Sequence, residues 1–300
     1  MRVLLLFPMA DGQTGPAIKY AFEQLGHTVV AVDARNQPEM PYSVACNFKP
    51  DLVFCARLDR LTGQIIQMKE KFKNVVACTW NVDTRTDINH WKHLFPLIRA
   101  CDYYFVPASR LLPEWRKINS NTFWLPQGLQ NEIYRKPTKI TERDRRKYAC
   151  DVNWAGTGRS SRRPFLDAIE QMNIDFKKWG CSGMPRIYNE EHNKMVSLSK
   201  INLGISGWPE NEKYIPCRDY KIMGAGGFVL DLYRKGVYDI FPSDTIVWYE
   251  TPDDLVKKIR YWLVNEKERR EFAERGFKWV HYNATYVHRI QQALEIMRLK

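Results

Sequence analysis

The chain reads as two doubly wound α/β domains in series, and three observations predict it. Short β-rich runs alternate with helical periods along nearly its whole length. That alternation restarts after a basic stretch near residue 140. A length of 300 residues, 44% of them hydrophobic, exceeds one small core and suits two.

The first element is "VLLLFP" (3–8), a continuous apolar run of strand length. The loop "MADGQTG" follows, then "PAIKYAFEQLG", whose Ile18, Ala21, Phe22 and Leu25 recur at helical spacing, with Gly26 where a helix stops. "HTVVAVD" (27–33) is the next strand and ends in an acid. Strand, glycine-containing loop, helix and acid-terminated strand make the first half of a nucleotide-binding βαβ unit, but G-x-G-x-x-G is absent, so no dinucleotide fingerprint is present. Strands follow at 51–56, 75–80, 103–108 and 122–126, with helices around 62–73, 87–99 and 110–117. Apolar strands between helices predict a parallel sheet covered on both faces.

"RKPTKITERDRRK" (135–147) carries seven cations against two acids and reads as a solvated linker or as a phosphate-binding stretch. Beyond it, "CDVNWAG" (150–156) is a strand feeding "TGRSSRR", and a helix begins at Pro164, a favoured first-turn residue. Further strands are expected near 175–180, 200–206, 227–231 and 245–249. The helices between them include "NEEHNKMVSLS", "DYKIMGA" and "PDDLVKKIRYWLV", and two more close the chain at 266–279 and 285–298. The expected division is 1–135 for the first domain, 136–147 for a basic linker and 148–280 for the second domain. Residues 281–300 form a helix crossing back to the first. Such a pair faces a cleft and binds ligand at the carboxyl ends of its strands.

Composition narrows the function classes. The net charge of +12 points to an anionic ligand or partner. Seven scattered cysteines, an odd number with no C-x-x-C, argue for a reducing, cytoplasmic setting and against a disulfide framework or zinc knuckle. His90 and His93 have metal-ligand spacing, but no further ligands accompany them. No apolar run is long enough to span a bilayer, and the opening "MRVLLLFPMADG" reads as a buried strand and not a signal peptide.

One stretch carries more information than the rest: "CRDYKIMGAGGFVLD" (217–231). Upstream stands "VNWAGTGRSSRRPFLDAI"; downstream stand "WYETPDDLVKKIRYWLVNEKERREFAERG" and "HYNATYVHRI". Together, over roughly 120–300, these resemble the GT-B glycosyltransferases, and more narrowly the group-1-like family that includes the spore-maturation protein CgeB. In the first third only "WNVDT" (80–84) is similar. The resemblance implies a nucleotide-sugar donor, with UDP the expected nucleotide, held without a tightly bound metal. It departs from the family at Lys221, where a Glu usually accepts from the donor's ribose hydroxyls; a Lys only donates and carries the opposite charge.

Glycosyl transfer must stabilise a leaving diphosphate, activate an acceptor hydroxyl and exclude water. For the diphosphate, the turn holding Gly156, Gly158 and Arg159 precedes a helix N-terminus, and Arg218 offers a planar fork to phosphate oxygens. Lys221, Gly226 and Gly227 complete the expected donor set, the glycines also reading as a helix stop before a strand. Ser206, Trp208 and Tyr214 lie in a loop suited to the donor's base or sugar, though aromatics there also serve simply to pack it. Asp83, just after a strand, is the first candidate base, with a cap or Asx turn as its plainer reading; Asp11 in the first loop is the second, with a solvated loop carboxylate as its plainer reading.

The acceptor stays open between a protein or glycan hydroxyl and a hydroxymethylated base in DNA, with Trp91, Trp115 and Trp124 as candidates to hold an extruded base. The alternative of another class is a non-catalytic nucleotide- or DNA-binding module.

Overall fold

Strand after strand in the first sheet is buried on both faces, which is what a parallel sheet between helix layers requires. The computed structural model describes residues 1–181 and 183–299. These fall into two units, one of residues 1–127, 211–214 and 286–299, the other of residues 128–210 and 215–285.

In the first unit, β1 (Arg2–Leu6), β2 (Thr28–Val32), β3 (Leu52–Ala56), β4 (Val76–Trp80), β5 (Tyr103–Val106) and β6 (Thr122–Trp124) pair in parallel, in the order β2-β1-β3-β4-β5-β6. The helices are α1 (Gly15–Gln24), α2 (Met40–Phe48), α3 (Thr62–Lys71), α4 (Phe95–Ala100) and α5 (Leu112–Arg116). The two-residue period of β3 sorts its side chains. Leu52, Phe54 and Ala56 enter one core with Phe22, Trp80 and Phe105, while Val53 and Cys55 enter another with Ile65 and Met68.

In the second unit the chain runs α6 (Glu142–Tyr148), β7 (Cys150–Ala155), α7 (Arg163–Glu170), β8 (Phe176–Trp179), α8 (Asn189–Leu198), β9 (Ser199–Gly204), α9 (Cys217–Gly224), β10 (Val229–Leu232), β11 (Val247–Tyr249), α10 (Pro252–Val264) and α11 (Glu266–Asn283). The sheet order is β11-β10-β9-β7-β8, again all parallel. Counted from its own first strand, each sheet therefore has the order 2-1-3-4-5, with one extra strand in the first. Winding reverses between the first and third strands, β1/β3 in one unit and β7/β9 in the other. A crevice opens there at the carboxyl ends.

The last helix, α12 (Tyr286–Met297), belongs to the first unit. Its Ile290, Ala293, Leu294 and Met297 join Ala17, Ile18 and Phe22 of α1 in one core, and Arg289 Nε donates to the Gln127 carbonyl at 2.9 Å. The expected return of the C-terminal helix is thus a packing fact of that unit.

Three sequence expectations change. Residues 128–135, expected in the first domain, lie in the second unit. The supposed linker holds α6, started by a reciprocal Thr141–Asp144 capping box and tied by Asp144 to Lys194 at 3.3 Å. Its alternating charges hid a helix whose inner face is Asp144 and the buried Tyr148. Finally, α2 was not foreseen, because its nine residues begin at Met40–Pro41 with a weak helical pattern, and 87–99 divides into a 3₁₀ segment and the short α4.

Candidate functional site

The β7/β9 switch point is built around Arg218 and Gly156. Arg218 sits in the first turn of α9, which starts beyond the carboxyl end of β9. One guanidinium nitrogen donates to the Ala155 carbonyl at 3.0 Å and the other to Ile205 at 3.2 Å, while Nε is buried without a partner. The fork thereby ties the loop after β7 to the loop after β9. Gly156 has no side chain because none fits: a Cβ there would lie 2.8 Å from the Trp154 ring and 3.0 Å from Arg218. The expected chelation of phosphate by Arg218 must therefore coexist with two carbonyl contacts.

The loop itself is held by Arg162, which donates to the Ile205 carbonyl at 2.9 Å and to the Thr157 carbonyl and hydroxyl at 2.8 and 3.1 Å. Arg163 pairs with Asp167 one turn on. Arg159 differs from both: it is exposed, has no carboxylate partner among the described residues, and lies with its guanidinium 5.4 Å from the Trp208 ring centre. Gly158, Arg159, Ser160 and Arg163 line a groove of about 880 Å³ running past Pro164 to Lys178 and Cys181. α7 begins beside it, with the Arg162 and Arg163 N–H groups already bonded to the Arg159 and Ser160 carbonyls.

Beneath the loops lies a buried charged group that sequence reasoning missed. Asp219, Asp231 and Arg234 are all essentially inaccessible, Arg234 pairing with Asp231 and reaching Asp219 at 3.4 Å. Burial, and then Asp231, push the Asp219 carboxyl well above the usual range, so it is protonated. Burial also works against the charge on Asp231, but Arg234 outweighs it and Asp231 lies below its ordinary value. The two acids share one proton over one buried cation, and Gly204 leaves the space that Asp231 fills. The available signal was "DLYR", an acid and a cation three apart at a strand end.

Lys221 stands one turn after Arg218. Its Nζ lies 4.5 Å from the Tyr134 ring centre. Burial pulls the ammonium down, and Cys217, Tyr134 and Tyr188 around it outweigh that, so it titrates above its ordinary value. Gly226 and Gly227 lie elsewhere. α9 runs eight residues back across the sheet, about 12 Å, to the amino end of β10. There Gly226 has φ of +78° and ends the helix, and both glycines abut protein: Lys136 beside one, Val196 and Asn202 beside the other. The helix-stop reading accounts for them, and both line a groove with Lys200, Arg269 and Arg270 at the amino end of β10, apart from the loops around Arg218. In the 206–216 loop, Ser206 Oγ accepts from the Trp208 N–H at 3.2 Å, whereas Tyr214 is buried in the first unit.

In the first unit, Asp83 follows β4 and pairs with Arg57, which follows β3; its backbone N–H donates to Asn81 Oδ1 at 3.1 Å. The cap that Asp83 was read as supplying is made by Asp87, which accepts from the Asn89 N–H. Asp11 is exposed in the β1–α1 loop. Trp91 and Trp115 are 3% exposed, Trp91 beneath Arg57 and Arg85, so neither is open to an extruded base. The Trp124 N–H is shared by the Pro107 and Lys213 carbonyls, both at 3.3 Å.

Among the described residues no three His, Cys, Asp or Glu side chains gather to hold a metal, and no helix is long and apolar enough to cross a membrane.

Residues 159–295 match the model of a family described as glycosyl transferase-like. No curated protein matches the sequence significantly. Among solved structures, HepE of Anabaena in complex with UDP and glucose superposes with a TM-score of 0.66 at 11% identity, covering 99% of each chain. Sucrose-phosphate synthase from Thermosynechococcus elongatus gives 0.69 at 12%, covering 99% of this chain and 98% of its own. A glycosyltransferase from Rickettsia africae gives 0.67 at 12%, covering 99% and 97%. The protein has the two-domain fold of the GT-B glycosyltransferases, and its residues 159–295 are similar to the glycosyl transferase-like family.

Proposed function

We propose that this protein is a glycosyltransferase that moves a sugar from a nucleotide-sugar donor to a hydroxyl acceptor. The observation that carries this reading is the β7/β9 crevice. There Arg218 joins two loops and Arg159 stands exposed with no acid partner among the described residues. In the reaction the bond between the anomeric carbon and the diphosphate oxygen breaks, and one to the acceptor oxygen forms. The hydroxyl proton passes to a base and the electron pair leaves on the diphosphate. In this reading Arg159 and Arg218 receive that growing charge, and two cations there need no added metal. Asp83 is assigned as the acceptor's base, with Asp11 the alternative. UDP is the first nucleotide to test, since HepE binds it, and membership of the CgeB-like group is the narrower family reading.

The test is nucleotide release from a panel of nucleotide sugars. Release with one donor, resistant to EDTA and lost in Arg159→Ala, is expected; inactivity with every donor favours the binding-module alternative. The acceptor we favour is a glycan or protein hydroxyl, because two of the three candidate platforms for a DNA base, Trp91 and Trp115, are buried, while Trp124 is half-buried. A salt-sensitive shift of hydroxymethylated duplex would reverse that preference.

A further inference from the structure

We infer that Gln127 is a positioning residue: its side-chain amide sets the loop that carries Asp83, and its backbone ties that loop to the C-terminal helix. The inference rests on the reading of Asp83 as the acceptor's base.

Asp83 needs such support because its side chain is loosely held. The carboxylate pairs with Arg57, and 46% of the Asp83 side chain is exposed. An ion pair so open to water fixes a side chain weakly. The aim of the carboxylate is therefore set by the backbone of the loop after β4, which has three anchors. The Asn81 N–H donates to the Phe105 carbonyl at 2.9 Å. Asn81 Oδ1 accepts from the Asp83 N–H at 3.1 Å, while its Nδ2 donates to the Tyr104 hydroxyl at 3.4 Å. The Val82 carbonyl, between them, accepts from Gln127 Nε2 at 2.7 Å.

The first two anchors are made by the loop itself and by the neighbouring β5. The third comes from 45 residues away, beyond β6. Gln127 is 5% exposed, and a buried amide must be bonded. A carbonyl only accepts, so it is the amide nitrogen that faces Val82. Gln127 is held in turn: Arg289 of α12, 8% exposed, donates Nε to its carbonyl at 2.9 Å. The same two segments grip the strand that leads into the loop. Trp80 Nε1 donates to the Leu125 carbonyl at 3.2 Å, and the Trp80 ring meets Tyr286 edge-on at 5.9 Å.

These segments are two of the places where the chain passes from one unit to the other, after Gln127 and before Tyr286. Beyond those passages, within the second unit, the Leu129 N–H donates to the Ala284 carbonyl at 2.7 Å. One amide thus anchors the candidate base to the residues at which the chain leaves and re-enters its unit. A purely structural Gln127 would satisfy the Val82 carbonyl and do no more. One that positions Asp83 alters turnover, and does so through Asp83.

Amide exchange and nucleotide release by the full chain, with UDP-glucose and the rest of the donor panel, test this. Gln127→Met keeps the length of the side chain and removes its donor. Exchange of the Asp83 amide should quicken about tenfold. The kcat should fall about ten- to a hundredfold, with KM for the nucleotide sugar unchanged. In an Asp83→Asn background the same substitution should cost nothing further, since both act on one proton transfer. Gln127→Glu sets an acceptor against the Val82 carbonyl; it should give at least the same loss, and it serves if the Met variant does not fold. Full turnover in both variants, an unchanged exchange rate, or an equal loss in the Asp83→Asn background overturns the positioning role. Unchanged turnover in Asp83→Asn alone overturns the base assignment instead, and a parent inactive with every donor overturns the transferase reading.

Discussion

The two sheets share one winding order, yet their carboxyl edges are furnished in opposite ways. At the edge of the first, acid and cation meet on the surface: Asp83 pairs with Arg57, which rests on the buried Trp91. At the edge of the second, the acids are underground and the cations are left over. Asp219 and Asp231 are sealed with Arg234, while among the described residues Arg159, Arg218 and Lys221 find carbonyls or rings but no carboxylate within ion-pair distance. The difference teaches that topology places a crevice and side chains decide what it binds. A surface ion pair is already satisfied, whereas unpaired cations over a buried acid pair are prepared for an anion.

Four substitutions break or sharpen this contrast. The largest effect is expected from Asp83→Asn, which should cut transfer about 10²- to 10⁴-fold if Asp83 takes the acceptor proton. It should cost under about 1 kcal/mol in a denaturant titration, since the pair with Arg57 is exposed; unchanged turnover would hand the role to Asp11. Next comes Asp231→Asn, which removes the carboxylate paired with the buried Arg234 and leaves Asp219 at 3.4 Å, and should destabilise by about 3–5 kcal/mol. Asp219→Asn keeps an N–H where the shared proton sits and should stay within about 1 kcal/mol. Comparable losses from the two would refute the assignment of the proton. Arg218→Ala should lower nucleotide release about 10²- to 10³-fold; circular dichroism of the variant checks that the loops' anchoring, and not the fold, was lost.

The smallest and most gradual effect is in pH. The unfolded His192 binds a proton near 6.5; burial, with Lys221 and Arg218 nearby, pushes the folded one down to about 3. Between those values the unfolded state holds more protons, so stability falls as the medium is acidified below about pH 6.5. This one group contributes a slope of about 1.4 kcal/mol per pH unit. His192→Gln should flatten the stability curve by that amount between pH 6 and 4, and an unchanged slope would show that the ring is not held neutral.

Much of the frame was legible before any coordinates. Every strand of both sheets was anticipated to within a few residues, because most are apolar runs bounded by turn residues and helices, β8 with its two lysines being an exception. Arg159, Arg218 and Gly156 were legible too, since they flank a strand end at which parallel folds bind ligands. Gly226 and Gly227, eight and nine residues beyond Arg218, are separated from it by the length of α9. Gln127 and Arg289 carried no signal at all, being single residues of ordinary type 162 positions apart.

What the sequence by itself determined is therefore the architecture and the sign of the ligand: periodicities of two and 3.6 fix which segments bury which faces, and net charge survives any folding. Only the tertiary structure decided which charges meet. Asp231 lies three residues from Arg234 and twelve from Asp219, and neither spacing predicts a shared proton; the register of β10 against β9 and the start of α9 bring them together. Pairing energies depend on distance and burial, which are long-range properties of the folded chain, and so the division into spent cations and available ones exists only once the sheet is closed by its helices.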